Sequence, residues 1–118
     1  MPHGHAVGWA LMNDHYFSAE PASADERRTL TLRLADRAVS MTTAPGVFCP
    51  DRLDAGTAVL LNHAPTPPPG GTFLDVGCGW GPITTTLALR SPSAQVWGVD
   101  VNRRALDLCA DNVAAQGC

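Results

Sequence analysis

The chain has 118 residues, which bounds it at one small domain. At 45% hydrophobic and 16% charged it is globular rather than disordered. The net charge is −3, every basic residue is an arginine and no block of like charge occurs, so a general electrostatic grip on nucleic acid is absent, though one specific site is not excluded.

Residues 1–28 show no sustained period and read as an N-terminal arm, with a helical turn near "SADERR" as its one candidate element. The apolar run "AVGWALM" at 6–12 is too short to span a membrane and lacks a basic flank, so no membrane association is expected. His3 and His5 form an H-x-H pair, which a solvated terminus explains better than a metal does. Cys49, Cys78, Cys109 and Cys118 form neither a C-x-x-C pair nor a zinc-type spacing, and the chain has no secretory start. Reduced thiols, a cytoplasmic location and no metal site are the expectation.

From Thr29 a clear pattern begins. Leu30, Leu32 and Leu34 alternate with Thr29, Thr31 and Arg33, "ADR" turns, and Val39, Met41 and Thr43 continue the alternation, which predicts a β-hairpin. "PGVF" at 45–48 breaks it. Asp51 or Asp54 can then cap a short helix that buries Leu53, Thr57, Leu60 and Leu61. The connector "APTPPPGG", 64–71, leads to a buried strand at about 72–76, a helix from Pro82 to Arg90 and the loop "SPSA". A second buried strand, "QVWGV" at 95–99 with Trp97 in its core, precedes a helix at about 103–115. On that helix Leu106, Cys109, Ala110 and Val113 form one apolar face, with Asn102 as cap and Gly117 as terminator. Strand, helix, strand, helix with short loops is the pattern of a parallel sheet whose ligands sit beyond the carboxyl ends of its strands. Asp75 and Asp100 lie at two such ends.

Between these strands "FLDVGCGWGP", 73–82, carries glycines at 77, 79 and 81. The dinucleotide fingerprint G-x-G-x-x-G places its third glycine one residue later and rests a pyrophosphate on the following helix N-terminus. Here Pro82 removes one N–H at that turn, and the carboxylate of Asp75 repels phosphate but attracts an ammonium. A ligand with an amino-acid end near Asp75, a chain running over Gly77 and Gly79, and a ribose on Asp100 fits both facts. S-adenosylmethionine is such a ligand. A tight turn with no ligand is the bland alternative, and a nicotinamide dinucleotide is disfavoured. Cys78 has no basic neighbour to make it a nucleophile, and Trp80 is a packing residue.

"LDVGCGWGP" followed by "VWGVDVN" resembles motifs one and two of class I S-adenosylmethionine-dependent methyltransferases. "HYFS" at 15–18 and "PGVFCPDRLDAGTAVLL" at 45–61 are similar to the methyltransferase small-domain family, which includes enzymes that methylate the exocyclic amine of guanine in ribosomal RNA. The resemblance implies an α/β, partial Rossmann-like fold: a doubly wound, mainly parallel sheet preceded by a β-hairpin. It implies that Asp75, Gly77 and Gly79, with Cys78 between them, and Asp100 with Val101 hold S-adenosylmethionine. The segment 46–57 closes the methionine side, with Phe48 and Thr57 as candidate contacts. Ordinary packing for Phe48 and a helix-start hydroxyl for Thr57 are equal alternatives. An RNA substrate is the implied partner.

The family's catalytic signature, Asn-Pro-Pro followed by an aromatic residue, orients the target amine, and it does not occur in these 118 residues. Residues 29–118 therefore read as the N-terminal part of a methyltransferase domain, truncated before that motif, and no catalytic residue is assigned. An inactive cofactor-binding remnant is the alternative. The expectation for the chain by itself is marginal stability, an unpaired strand edge, weak cofactor binding and no methyl transfer.

Overall fold

Ala35 and Asp36 both adopt positive φ, 51° and 62°, which is what a two-residue hairpin turn needs to match the twist of its strands. They join a strand at Arg28–Leu34 to one at Arg37–Thr43, paired antiparallel with Leu32 opposite Val39 and Leu30 opposite Met41. The computed structural model describes residues 6–9 and 26–117. In chain order the elements are β1 (Ala6–Trp9), β2 (Arg28–Leu34), β3 (Arg37–Thr43), α1 (Ala55–His63), β4 (Thr72–Val76), α2 (Pro82–Arg90), β5 (Gln95–Asp100) and α3 (Arg103–Ala115). The H-x-H pair and "HYFS" lie outside the described residues, as do the first three residues of "SADERR"; of the other three, Glu26 and Arg27 are in no helix and Arg28 enters β2.

The hairpin alternation is observed: Leu34, Val39, Met41 and Thr43 are buried, while Thr29, Thr31, Arg33 and Ser40 face solvent. The parallel sheet has the order β1-β5-β4, with Leu74 opposite Trp97 and Asp75 opposite Gly98. Its third strand departs from the sequence reading, which had only an arm at 1–28. Ala6–Trp9 pairs parallel with Trp97–Asp100. Four residues with a glycine among them give too little pattern to signal a strand; the exposed edge of β5 supplies the template.

Helix α3 lies between this sheet and the hairpin and contributes to two cores. Leu106, Cys109 and Val113 pack with Cys78, Ala88, Ala94 and Val96. Ala105 and Leu108 pack with Leu34, Val39, Met41, Val47 and Trp80. The predicted single stripe is thus too narrow, and Ala110 is exposed rather than buried. The buried amide of Asn112 stitches the layers: Oδ1 accepts the Thr42 N–H at 2.7 Å, and Nδ2 donates to the carbonyls of Thr42 at 2.8 Å and Trp80 at 2.7 Å.

Two further corrections concern burial. Among the described residues, helices cover the sheet face that carries Phe73, Asp75 and Val96, and none buries the other. Leu74 is 61% exposed, Val76 74% and Trp97 41%, so Trp97 is not a core residue. Helix α1 buries no residue, and Leu60, expected inside, is 52% exposed; Leu53 and Leu61 are half-buried against the hairpin core. A doubly wound sheet needs a layer on each face, and the apolar side chains written for the second layer here face water.

Candidate functional site

Three alternate glycines turn the chain from β4 into α2, and all three have positive φ: Gly77 72°, Gly79 57° and Gly81 101°. The loop hangs on the end of β5, where the N–H groups of Gly77 and Cys78 both donate to the Val99 carbonyl at 2.8 and 3.0 Å. The glycines differ in purpose. A β-carbon on Gly77 or Gly79 would meet nothing within 4 Å, whereas one on Gly81 would stand 2.8 Å from Cys109 Sγ and 3.1 Å from its Cα. Gly81, the glycine whose early position spoils the dinucleotide spacing, therefore exists for helix packing. Gly77 and Gly79 leave space open.

That space is a cavity of ≈ 450 Å³ beyond the carboxyl ends of β4 and β5. Gly77, Cys78, Gly79, Asp100, Val101, Phe48 and Thr57, all candidate contacts from the sequence, line it. Val76, Trp80, Leu53, Asp54 and Asn102 line it too. Asp54 and Asn102 were legible as helix caps, which masked their place in the wall. Asp100 Oδ2 accepts the Gly79 N–H and Oδ1 the Asn102 N–H, each at 2.9 Å, so this carboxylate fixes the loop to the strand end. The segment before α1 is clamped across the cavity by three side chains. Asn102 Nδ2 donates to the Gly46 carbonyl at 2.7 Å, Arg104 Nη1 to Pro45 at 2.8 Å and Trp80 Nε1 to Phe48 at 3.2 Å. Phe48 itself is 75% exposed at the rim.

Asp75 is the exception. It does not line the cavity; its side chain lies on the helix-covered face of β4, 8% exposed, and its Oδ2 accepts the Thr84 hydroxyl at 2.7 Å. Strand alternation sends Val76 to the cavity and Asp75 beneath α2. Burial holds the Asp75 carboxyl above its ordinary range, against hydrogen bonds from Thr84 that pull it down. Cys78 is also turned inward: its hydrogen bond to Cys109, then burial, push the thiol up, which leaves no thiolate nucleophile at the loop.

Among the described residues the wall therefore holds two carboxylates, Asp54 and Asp100, and no arginine or histidine. Such a site repels a pyrophosphate and suits a ligand with net positive charge. Residues 38–118 match the methyltransferase small domain family. The chain belongs to that family. YbxB of Bacillus subtilis (strain 168) is 34% identical over 106 residues, covering 90% of this chain and 53% of YbxB. Ribosomal RNA small subunit methyltransferase C of Stutzerimonas stutzeri (strain A1501) is 41% identical over 90 residues, 76% of this chain and 27% of that enzyme. The 16S rRNA N2 G1207 methyltransferase of T. thermophilus, solved with AdoMet and guanosine, shares the fold at a TM-score of 0.65 and 24% identity, over 82% of this chain and 27% of the enzyme. The chain thus spans about half of one relative's length and about a quarter of the others. Among the described residues no helix is long and apolar enough to cross a membrane, and no group of three His, Cys, Asp or Glu is placed to hold a metal ion.

Proposed function

We propose that the chain is the cofactor-binding part of a cytoplasmic S-adenosylmethionine-dependent methyltransferase that acts on a base amine of ribosomal RNA. The observation that carries this reading is a cavity walled by Gly77, Gly79 and Asp100, open at both glycines and lined by no arginine or histidine among the described residues. S-adenosylmethionine, with an ammonium and a sulfonium against one carboxylate, carries the net positive charge such a wall favours. When bound, it supplies an electrophilic methyl group. Asp100 accepts the ribose hydroxyls beside Val101, the Gly77–Gly79 backbone with Cys78 supports the chain of the ligand, and Phe48 and Thr57 close the opposite side. Asp75 supports the loop from below through Thr84. The ribosomal RNA substrate is supported by the similarity to ribosomal RNA small subunit methyltransferase C.

No Asn-Pro-Pro-aromatic occurs in the 118 residues, which supports the further reading that the group orienting the target amine lies outside them and that this chain alone transfers no methyl group. The same observation favours the second reading, an inactive remnant. Calorimetry with S-adenosylmethionine, S-adenosylhomocysteine and NAD tests the cofactor; tight NAD binding would overturn it. Finding an Asn-Pro-Pro-aromatic in the gene past Cys118 favours the enzyme over the remnant. Radiolabelled methyl transfer to ribosomal RNA by the 118-residue chain would show that one of its own residues orients the amine.

A further inference from the structure

We infer that Asp54 receives the ammonium of the amino-acid end of the ligand, a role for which Asp75 is misplaced. The assignment rests on the cofactor reading above. Asp75 is committed beneath α2 to Thr84 and is not part of the wall. Of the two carboxylates that are, Asp100 has one oxygen on Gly79 and the other on Asn102, fixed at the strand end where the ribose belongs. Asp54 is different. It is half-buried, its Oδ2 accepts the Thr57 N–H at 3.1 Å, and the Thr57 hydroxyl stands 3.5 Å from the same oxygen. Among the described residues no donor reaches Oδ1, and no arginine or histidine pairs with the carboxylate.

The charge on Asp54 exceeds what its local structure uses. An N-cap needs one acceptor oxygen, and Ser or Asn provides it as well as Asp does. A half-buried carboxylate facing a cavity with no arginine or histidine in its wall among the described residues gains further stabilisation, beyond its cap bond, when a cation arrives. The segment that carries it is held to the rest of the wall by Asn102, Arg104 and Trp80 through the carbonyls of 45–48. Asp54 is thus presented by a clamped loop rather than by a free one. A carboxylate that is fixed before binding gives the ammonium its full attraction.

Asp54→Asn and Asp54→Ser keep the cap acceptor and remove the charge, and Asp75→Asn serves as the rival variant. Each is compared with the unaltered chain by calorimetry against S-adenosylhomocysteine and against 5′-methylthioadenosine, which keeps the nucleoside and lacks the amino-acid end. Both Asp54 variants are expected to lose about tenfold or more in affinity for S-adenosylhomocysteine, with 5′-methylthioadenosine bound within about twofold of the unaltered chain. Unchanged S-adenosylhomocysteine affinity overturns the assignment, as does equal loss of both ligands, which would make Asp54 a structural cap only. A selective loss in Asp75→Asn alone would return the ammonium to Asp75. If the unaltered chain binds neither ligand, the cofactor reading falls and takes the assignment with it.

Discussion

Asp100 holds Gly79: its Oδ2 accepts the loop N–H at 2.9 Å while its Oδ1 caps the Asn102 N–H at the same distance. The residue proposed as a ribose acceptor is thus the fastener that ties the glycine loop to β5. The proposed role is compatible with the observed one, because each oxygen keeps a further lone pair for a ligand hydroxyl.

Asp100→Ala should accordingly do two things. Cofactor affinity should fall by on the order of 2–4 kcal/mol through lost bonds to a charged acceptor, and stability should fall by about 1 kcal/mol through the freed loop. Calorimetry and thermal unfolding measure the two separately. Unchanged affinity with lowered stability would mean that Asp100 only fastens the loop.

Gly79→Ala and Gly81→Ala should diverge although both replace a positive-φ glycine two residues apart. At Gly79 the added carbon meets open cavity, so the fold should bear about 1–2 kcal/mol of left-handed strain and the loss should appear in cofactor binding. At Gly81 the same carbon runs into the backbone and sulfur of Cys109, which should cost about 3 kcal/mol or more in stability. Denaturant midpoints for the two variants decide the point; equal destabilisation would remove the distinction between a ligand glycine and a packing glycine.

These contrasts show how much of the site was legible in the sequence. The loop, both strand ends and the helix boundaries follow from Gly77, Gly79, Gly81, Pro82 and Asn102, whose conformational needs are local. Which way Asp75 points does not, because it depends on which face of β4 the helices occupy. Strand β1 was illegible for the same reason, since pairing with β5 rather than its own pattern makes it a strand. Trp97 in its apolar strand and Leu60 on the apolar face of its helix were misread because pattern marks a side chain as apolar, whereas burial is decided by what lies opposite it.

Asp75 also predicts a pH dependence. Its carboxyl is raised in the folded state, chiefly by burial, above the ordinary value of 3.8. As pH rises from that value through the folded-state pKa, the native chain holds more protons than the unfolded one, so this group makes stability fall with pH and then level off. Asp75→Asn should remove that slope on the acid side while Asn Oδ1 still accepts the Thr84 hydroxyl. Thermal midpoints of both proteins across the acid range should converge at low pH and separate upward, with the variant the more stable. A variant less stable at neutral pH would show that the charged Thr84–Asp75 bond outweighs the burial penalty.

The uncovered face of the sheet sets the behaviour of the isolated chain. Leu74, Val76 and Trp97 lie on it, more than a third exposed, and β4 is an edge strand with no partner on its outer side among the described residues. Apolar side chains beside open backbone donors and acceptors favour pairing with another chain. Residues 1–118 should therefore associate as concentration rises. Replacing Leu74 and Val76 together by Thr keeps β-branched or strand-compatible side chains and removes apolar surface without opening a cavity, since neither residue is buried. The double variant should shift the association midpoint at least about tenfold higher, the scale of about 1.4 kcal/mol of apolar burial, with its thermal midpoint little changed. Sedimentation velocity over a concentration series reads this directly. A chain that stays monomeric throughout would show that the exposed face is tolerated, and association that the double variant leaves unchanged would place the contact elsewhere.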